Sequence, residues 1–186
     1  MSHIEQTHSY QDLITLFNQH FAQAFNTRLV QGGDEPFYSP ANERCDHHQL
    51  IFAHDYYASA LHEISHWCIA GKERRLLEDF GYWYQPDGRS ECEQKTFEQV
   101  ELKPQALEWA LSVAANKKFT VSADNLKGGQ ADTDVFKQAV YAQVIFYMDK
   151  GFPAQAQVFI KALTEFYQTP FPLMIEHFTI ENFCHA

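Results

Sequence analysis

Two histidines four positions apart constrain the fold of this chain of 186 residues more than any other feature. Residues 62–66 read His-Glu-Ile-Ser-His, and on a helix such a pair shares one face, with Cβ atoms about 6 Å apart. That spacing suits one metal ion, both in zinc peptidases and in non-haem iron sites built from two histidines and a carboxylate. The sequence therefore predicts a metal-binding helix that carries His62, Glu63 and His66.

The flanking residues indicate where this helix lies and which side it buries. Residues 49–53 form an apolar run that predicts a strand, Asp55 is a suitable N-cap, and Gly71 is a suitable end. His62 and His66 lie roughly 150–180° from the apolar face of the helix, so an alternative is that they are solvated surface residues. The apolar face consists of Tyr57, Ala60, Leu61, Ile64, Trp67 and Cys68.

A metal site of this kind needs a third protein ligand. Ile69 and Lys72 replace the glycine and histidine of the extended metzincin pattern, so that source is excluded. The helical pattern over residues 90–115 is the natural donor. On it, Glu101 lies roughly 90° from the centre of the apolar stripe, at its boundary, whereas Glu98 lies nearer 150° and is expected to face solvent. We choose Glu101 as the third ligand, with Glu98 second.

The remaining apolar patterns indicate the fold class. Helical spacing recurs over residues 10–25, 136–148 and 154–167, and Pro104 is expected to bend or restart the helix that holds it. Mixed short strands and longer helices predict an α+β fold, a single compact domain over residues 1–186 with a small mixed sheet packed by helices. Short extended segments are expected at residues 27–30, 37–38, 82–84 and 119–121, with turns at residues 32–34 and 86–88.

Composition excludes several classes of protein. A net charge of -10 argues against a nucleic-acid-binding surface, and no apolar run approaches the roughly 20 residues of a membrane span. Residues 1–6 lack the basic start and apolar stretch of a signal peptide, so we expect a cytoplasmic protein. The four cysteines form no Cys-x-x-Cys pair and are expected to be reduced thiols.

Several segments resemble the elongation factor P hydroxylase family. The resemblance is carried by residues 57–72 (YASALHEISHWCIAGK), 80–84 (FGYWY) and 101–109 (ELKPQALEW), and it runs over most of the chain. The surroundings of the second histidine, SHWCIAG, are far more specific than the bare metal motif. The first ten residues, residues 45–48 and the C-terminal tail match less well, so no function is carried onto them.

The resemblance implies an iron(II)-dependent hydroxylase that uses O2 and acts on the β-lysylated lysine of translation elongation factor P. It implies a fold closer to the zincin-like metal-dependent ribonuclease YbeY than to the double-stranded β-helix dioxygenases. The metal triad of the family carries over onto His62, His66 and Glu101. Glu63 would then orient a water on the metal or a ligand histidine.

The histidine motif also fits an alternative chemistry. In a zinc-dependent hydrolase, a peptidase or a ribonuclease, Glu63 would be the general base that activates water. The motif does not separate the two, and a purified sample can hold zinc because divalent ions differ in affinity. A purely structural zinc site is disfavoured, since it would need four protein ligands and the sequence offers three candidates.

Overall fold

Five α-helices, three short 3₁₀ helices and one three-stranded sheet make up the regular structure of the described residues. A computed structural model describes residues 7–81, 91–121 and 130–179, with side chains at residues 7–81, 96–121 and 134–179. The α+β prediction is confirmed, while the likeness to zincin-like ribonucleases stays a prediction. In chain order the elements are α1 (Tyr10–Phe25), β1 (Thr27–Gln31), β2 (Phe37–Ser39), β3 (His48–Phe52), α2 (Tyr57–Ile69), α3 (Glu91–Ala114), α4 (Gln130–Lys150) and α5 (Ala154–Tyr167).

The first helix forms where the apolar spacing predicts it. The side chain of Ser9 accepts a hydrogen bond from the backbone N–H of Gln11, which satisfies one of the free donors of the first turn. Asn26 ends the helix in the left-handed conformation, at φ 48°, which asparagine tolerates better than most residues. One face of α1 is buried through Leu13, Leu16, Phe17 and Phe21.

The sheet has β3 at its centre. β1 runs parallel to β3 and β2 runs antiparallel to it, so β1 and β2 do not pair although only a short turn joins them. Gly32 follows β1 and donates its N–H to the carbonyl of Phe52. A Cβ atom at Gly32 would lie 2.3 Å from Ile51, so only glycine allows the chain to pass this close to β3.

The metal-motif helix, α2, follows β3 as predicted, but its start differs from the prediction. Its N-cap is Tyr56, without a side-chain hydrogen bond, and not Asp55. The chain after β3 is held by Ser59, whose hydroxyl accepts from the backbone N–H of Ala53 at 3.0 Å. At the other end α2 stops at Ile69, two residues before the predicted breaker Gly71.

An aromatic cluster fixes which side of α2 is buried. The ring of Trp67 lies 4.9 Å from that of Phe17 and 4.8 Å from that of Phe21, both on α1. Phe159 of α5 packs against the same two phenylalanines at 6.1 and 6.0 Å. Edge-to-face and tilted aromatic contacts of this kind stabilise the fold beyond the area that each ring buries. Because Trp67 packs against α1, the two histidines of α2 lie on another side of the helix, towards α3.

The second half of the chain is mostly helical. α3 runs through Pro104 as one helix, so the prediction of a restart there is wrong. No strand forms at residues 119–121, which corrects that prediction. Phe119 instead stacks on Trp109 of α3 at 5.7 Å, and the apolar character of this segment serves side-chain packing. The predicted segments at residues 82–84 and 86–88 lie outside the described residues. None of the described helices combines the length and apolar character that a bilayer crossing requires.

Candidate metal centre

The candidate site lies where α2 and α3 face each other. α2 presents His62 and His66 one turn apart, because their positions differ by four. α3 presents Glu101 and Glu108, which are seven positions apart and therefore share one face two turns apart. The four side chains meet between the two helices, on the side of α2 away from Trp67.

Three of these side chains point polar atoms at one small volume. Glu101 Oε2 lies 3.3 Å from His62 Nε2, and Glu101 Oε1 lies 3.3 Å from His66 Nε2. The two Nε2 atoms are 3.1 Å apart, and one ligand atom from each of the three residues lies within 4.8 Å of the others. Two imidazole nitrogens and a carboxylate around one point are the donor set of a two-histidine, one-carboxylate metal site. The residues therefore fit a divalent metal ion.

Burial corrects three expectations. The side chains of His62 and His66 are 25% and 11% exposed, so the alternative of two solvated surface histidines is wrong. Glu101, expected at the boundary of its helix stripe, is buried at 4% side-chain exposure, because α2 covers this face of α3. Glu98, expected to face solvent, is half-buried and is not part of the close group of ligand atoms.

The charges within the group depend strongly on one another. Burial alone would lower the pKa of His62, but hydrogen bonds and charges from Glu101 and Glu108 outweigh it and hold the pKa well above its usual value. Burial alone would raise the pKa of Glu101, but the two histidines outweigh it and hold the pKa well below its usual range. A divalent cation would take over the role of the protons on the histidines.

Glu63 lies beside this group without belonging to it. Burial raises the pKa of its carboxyl, His66 and His62 partly offset this effect, and Glu101 and Asp79 add to it. Glu63 takes part in none of the contacts that join His62, His66 and Glu101 to one another. The carboxyl is thus close enough to the histidines to interact with their charges, and it is not one of the converging ligands.

A second close group consists of Cys45, Asp46 and His47. Asp46 is 99% exposed and lies 2.8 Å from Nδ1 of His47, the neighbouring residue in the chain. Adjacency and this ion pair account for the cluster. Cys45 and Cys68 are both free, as predicted for these two cysteines; Cys92 and Cys184 lie outside the residues whose side chains are described.

Comparison with known proteins identifies the family. The sequence profile described as "Elongation factor P hydroxylase" matches residues 16–178. The chain belongs to this family. A relative from Haemophilus influenzae (strain ATCC 51907 / DSM 11121 / KW20 / Rd), named "Elongation factor P lysine hydroxylase", is 55% identical over 173 residues, which cover 93% of this chain and 97% of the relative. The resemblance noted in the sequence is thereby confirmed.

In this member of the elongation factor P hydroxylase family, sequence reasoning missed Glu108. Its Oε2 lies 2.8 Å from Nδ1 of His62, and its side chain is only 10% exposed. The sequence feature that could have predicted Glu108 is its spacing, because a residue seven positions after Glu101 faces the same side of a helix. Helical position alone does not identify its partner, since that depends on how α2 packs against α3.

Proposed function

We propose that this protein is an iron(II)-dependent hydroxylase that uses O2 to add one oxygen atom to the β-lysylated lysine side chain of translation elongation factor P. The second oxygen atom would leave as water, with two electrons supplied by an external reductant. The observation that carries the proposal is the convergence of His62, His66 and Glu101, in a chain of the elongation factor P hydroxylase family. The name of the Haemophilus relative supports a lysine of elongation factor P as the substrate. We place the reaction in the cytoplasm, with residues 1–186 as one hydroxylase domain.

The three proposed ligands leave room for the reaction. Iron(II) would be held by Nε2 of His62, Nε2 of His66 and the carboxylate of Glu101. A site with only three protein ligands would leave coordination positions free for O2 and substrate. Bound there, iron(II) would supply the oxygen activation that attack on an unactivated C–H bond requires and that no side chain provides. The burial of Glu101 limits access of bulk water to one side of the group.

Glu63 has a supporting role in this proposal. Its carboxyl lies within electrostatic reach of both histidines, and burial raises its pKa, which disfavours the charged form. It would hold a water molecule or a proton next to the ligands. In the alternative, a zinc-dependent hydrolase, Glu63 would be the general base. Family membership favours the hydroxylase.

The overall charge is consistent with a cationic substrate. The chain carries a net charge of -10, and a β-lysylated lysine is a long side chain with more than one amino group. Opposite charges raise the rate of encounter between partners. The negative net charge thus agrees with a cationic side chain as substrate, but the proposal itself depends on the residues of the site and on the family.

Mass spectrometry of elongation factor P tests the proposal directly. The factor, with and without the β-lysyl group, would be incubated with the protein, air and an excess of iron(II) as the electron donor. We expect a gain of one oxygen atom on the β-lysylated form, no gain on the unmodified form, and no gain with the His66→Ala variant or without O2. An unchanged mass in every sample contradicts the hydroxylase. Cleavage of a peptide or an RNA by the zinc-loaded protein, lost in Glu63→Gln, would support the hydrolase.

A further inference from the structure

The ring of His62 is held from both sides by α3. Nδ1 lies 2.8 Å from Glu108 Oε2, and Nε2 on the other side of the ring lies 3.3 Å from Glu101 Oε2. Both carboxylates stand on the same continuous helix, two turns apart, so their separation is set by the helix. The ring of His62 therefore lies between two carboxylates whose backbone positions are fixed relative to each other.

The contact with Glu108 also selects the tautomer of His62. A carboxylate accepts hydrogen bonds and does not donate them, so Nδ1 must carry the proton in this contact. When His62 is neutral, the lone pair is then on Nε2, which is the atom that faces Glu101 and His66. A metal ligand whose second nitrogen donates to a carboxylate is both oriented and more basic.

His62 and His66 differ in whether the Nδ1 atom of the ring has a carboxylate partner. The ring of His66 contacts its polar partners among the described residues through Nε2. No carboxylate of these residues is paired with its Nδ1. Glu108 is buried, with a side-chain exposure of 10%, so solvent weakens its interaction with His62 little. The effect of this carboxylate should therefore be concentrated on one of the two proposed ligands.

We infer that Glu108 is a positioning residue for the metal centre: it fixes the ring orientation and tautomer of His62, and thereby sets the metal affinity of the site. This inference rests on the proposed metal-dependent function. A simpler role exists, in which Glu108 and His62 only form an ion pair that ties α2 to α3. That role predicts a loss of stability without a change in metal binding by the folded protein.

Metal affinity of variants separates the two roles. Zinc(II) binding, and iron(II) binding without oxygen, would be measured by chelator competition on the full chain and its variants. We expect Glu108→Ala to bind about 10- to 100-fold more weakly. Glu108→Gln keeps the volume and one acceptor but loses the charge, so it should fall between wild type and Glu108→Ala. Glu165→Gln, at an exposed acid of α5 that pairs with Lys161, is the matched control and should bind as wild type does.

Nuclear magnetic resonance of the zinc-loaded protein, labelled with ¹⁵N at histidine, gives a second readout that does not depend on activity. We expect a protected Nδ1–H signal from His62 in wild type and its loss in Glu108→Ala. If Glu108→Ala does not fold, Glu108→Gln is compared with wild type instead, and we expect it to bind the metal more weakly. Equal affinities of wild type and folded variants, with or without a drop in melting temperature, overturn this inference alone. Failure of the wild-type protein to bind either metal overturns the proposed site as well.

Discussion

Glu101 Oε1 lies 3.3 Å from Nε2 of His66, although the two residues stand on different helices. Because the same carboxylate also lies 3.3 Å from Nε2 of His62 through its other oxygen, it joins both histidines of α2 to α3. A buried carboxylate with two imidazoles as its partners is stable only while positive charge faces it. A metal ion or protons on the histidines can supply that charge, so removing Glu101 should affect metal binding directly.

Replacing Glu101 with alanine should reduce divalent metal affinity by more than about 100-fold, since loss of a ligand costs more than loss of a supporting contact. Glu98→Ala is the informative comparison, because Glu98 stands one turn earlier on α3 and outside the close group. We expect its affinity to match wild type. Isothermal titration calorimetry with zinc(II) measures both variants. Normal binding by Glu101→Ala, or loss of binding in Glu98→Ala, would show that the choice of ligand is wrong.

Replacing Glu63 with glutamine should leave metal affinity unchanged, because its carboxyl lies beside the ligand group and not within it. For a hydroxylase we expect a decrease in turnover of less than about 100-fold. Loss of a general base would instead cost roughly 10²- to 10⁴-fold. Hydroxylation rates of β-lysylated elongation factor P, measured alongside metal content, test the supporting role, and hydrolysis by the zinc-loaded protein tests the role of general base. A metal-loaded but fully inactive variant would contradict the supporting role assigned to Glu63.

Arg75 should contribute strongly to stability. Its guanidinium donates from Nε and Nη2 to the carbonyl of Trp67, at 3.2 and 2.8 Å, and lies 4.1 Å from the centre of the Trp67 ring. Arg75→Met would leave a buried carbonyl without its donors and remove the cation–π contact, at a cost of about 2–4 kcal/mol in the free energy of unfolding. Urea denaturation measures this loss. Arg28→Met, at an exposed position of β1, should change stability by less than about 0.5 kcal/mol. Equal midpoints for the two variants would refute the assignment.

The two described cysteines should differ in reactivity. Burial raises the pKa of the Cys68 thiol to about 12, partly offset by nearby Arg75, and the residue is only 3% exposed. The thiolate is the reactive form, so at a pH of about 8 almost none of Cys68 is reactive, and labelling should accelerate as the pH rises. Cys45 is half-buried and should be alkylated first by iodoacetamide in the native protein. Peptide mapping by mass spectrometry compares them, with urea-unfolded protein as the control. Equal native labelling would contradict the burial of Cys68.

Helix positions were predictable because apolar periodicity is a local property of the chain. The bounds of α1 and α5 match the predicted ranges, and α3 differs by one residue at each end. The helix predicted over residues 136–148, α4, begins six residues earlier and ends two residues later. The apolar face of α2 is buried as the wheel indicates. The same periodicity places His62 and His66 together on the other face, so the pair of candidate ligands could be found without knowledge of the fold.

Contacts between elements could not be predicted in this way, since they depend on which surfaces meet. The run at residues 119–121 has the composition of a strand, but it packs through Phe119 onto α3. Glu101 was expected at a boundary because a wheel shows one helix at a time, and it is buried because α2 lies over it.

Local spacing in the chain thus accounts for the helices and for the shared face of the two histidines. The packing of α2 against α3 accounts for the rest of the site: the convergence of Glu101 on both Nε2 atoms, and the contact of Glu108 with Nδ1 of His62. The physical reason is that a helical repeat acts over a few residues. The distance between side chains on two helices depends instead on the aromatic core of Phe17, Phe21, Trp67 and Phe159, which orients α2.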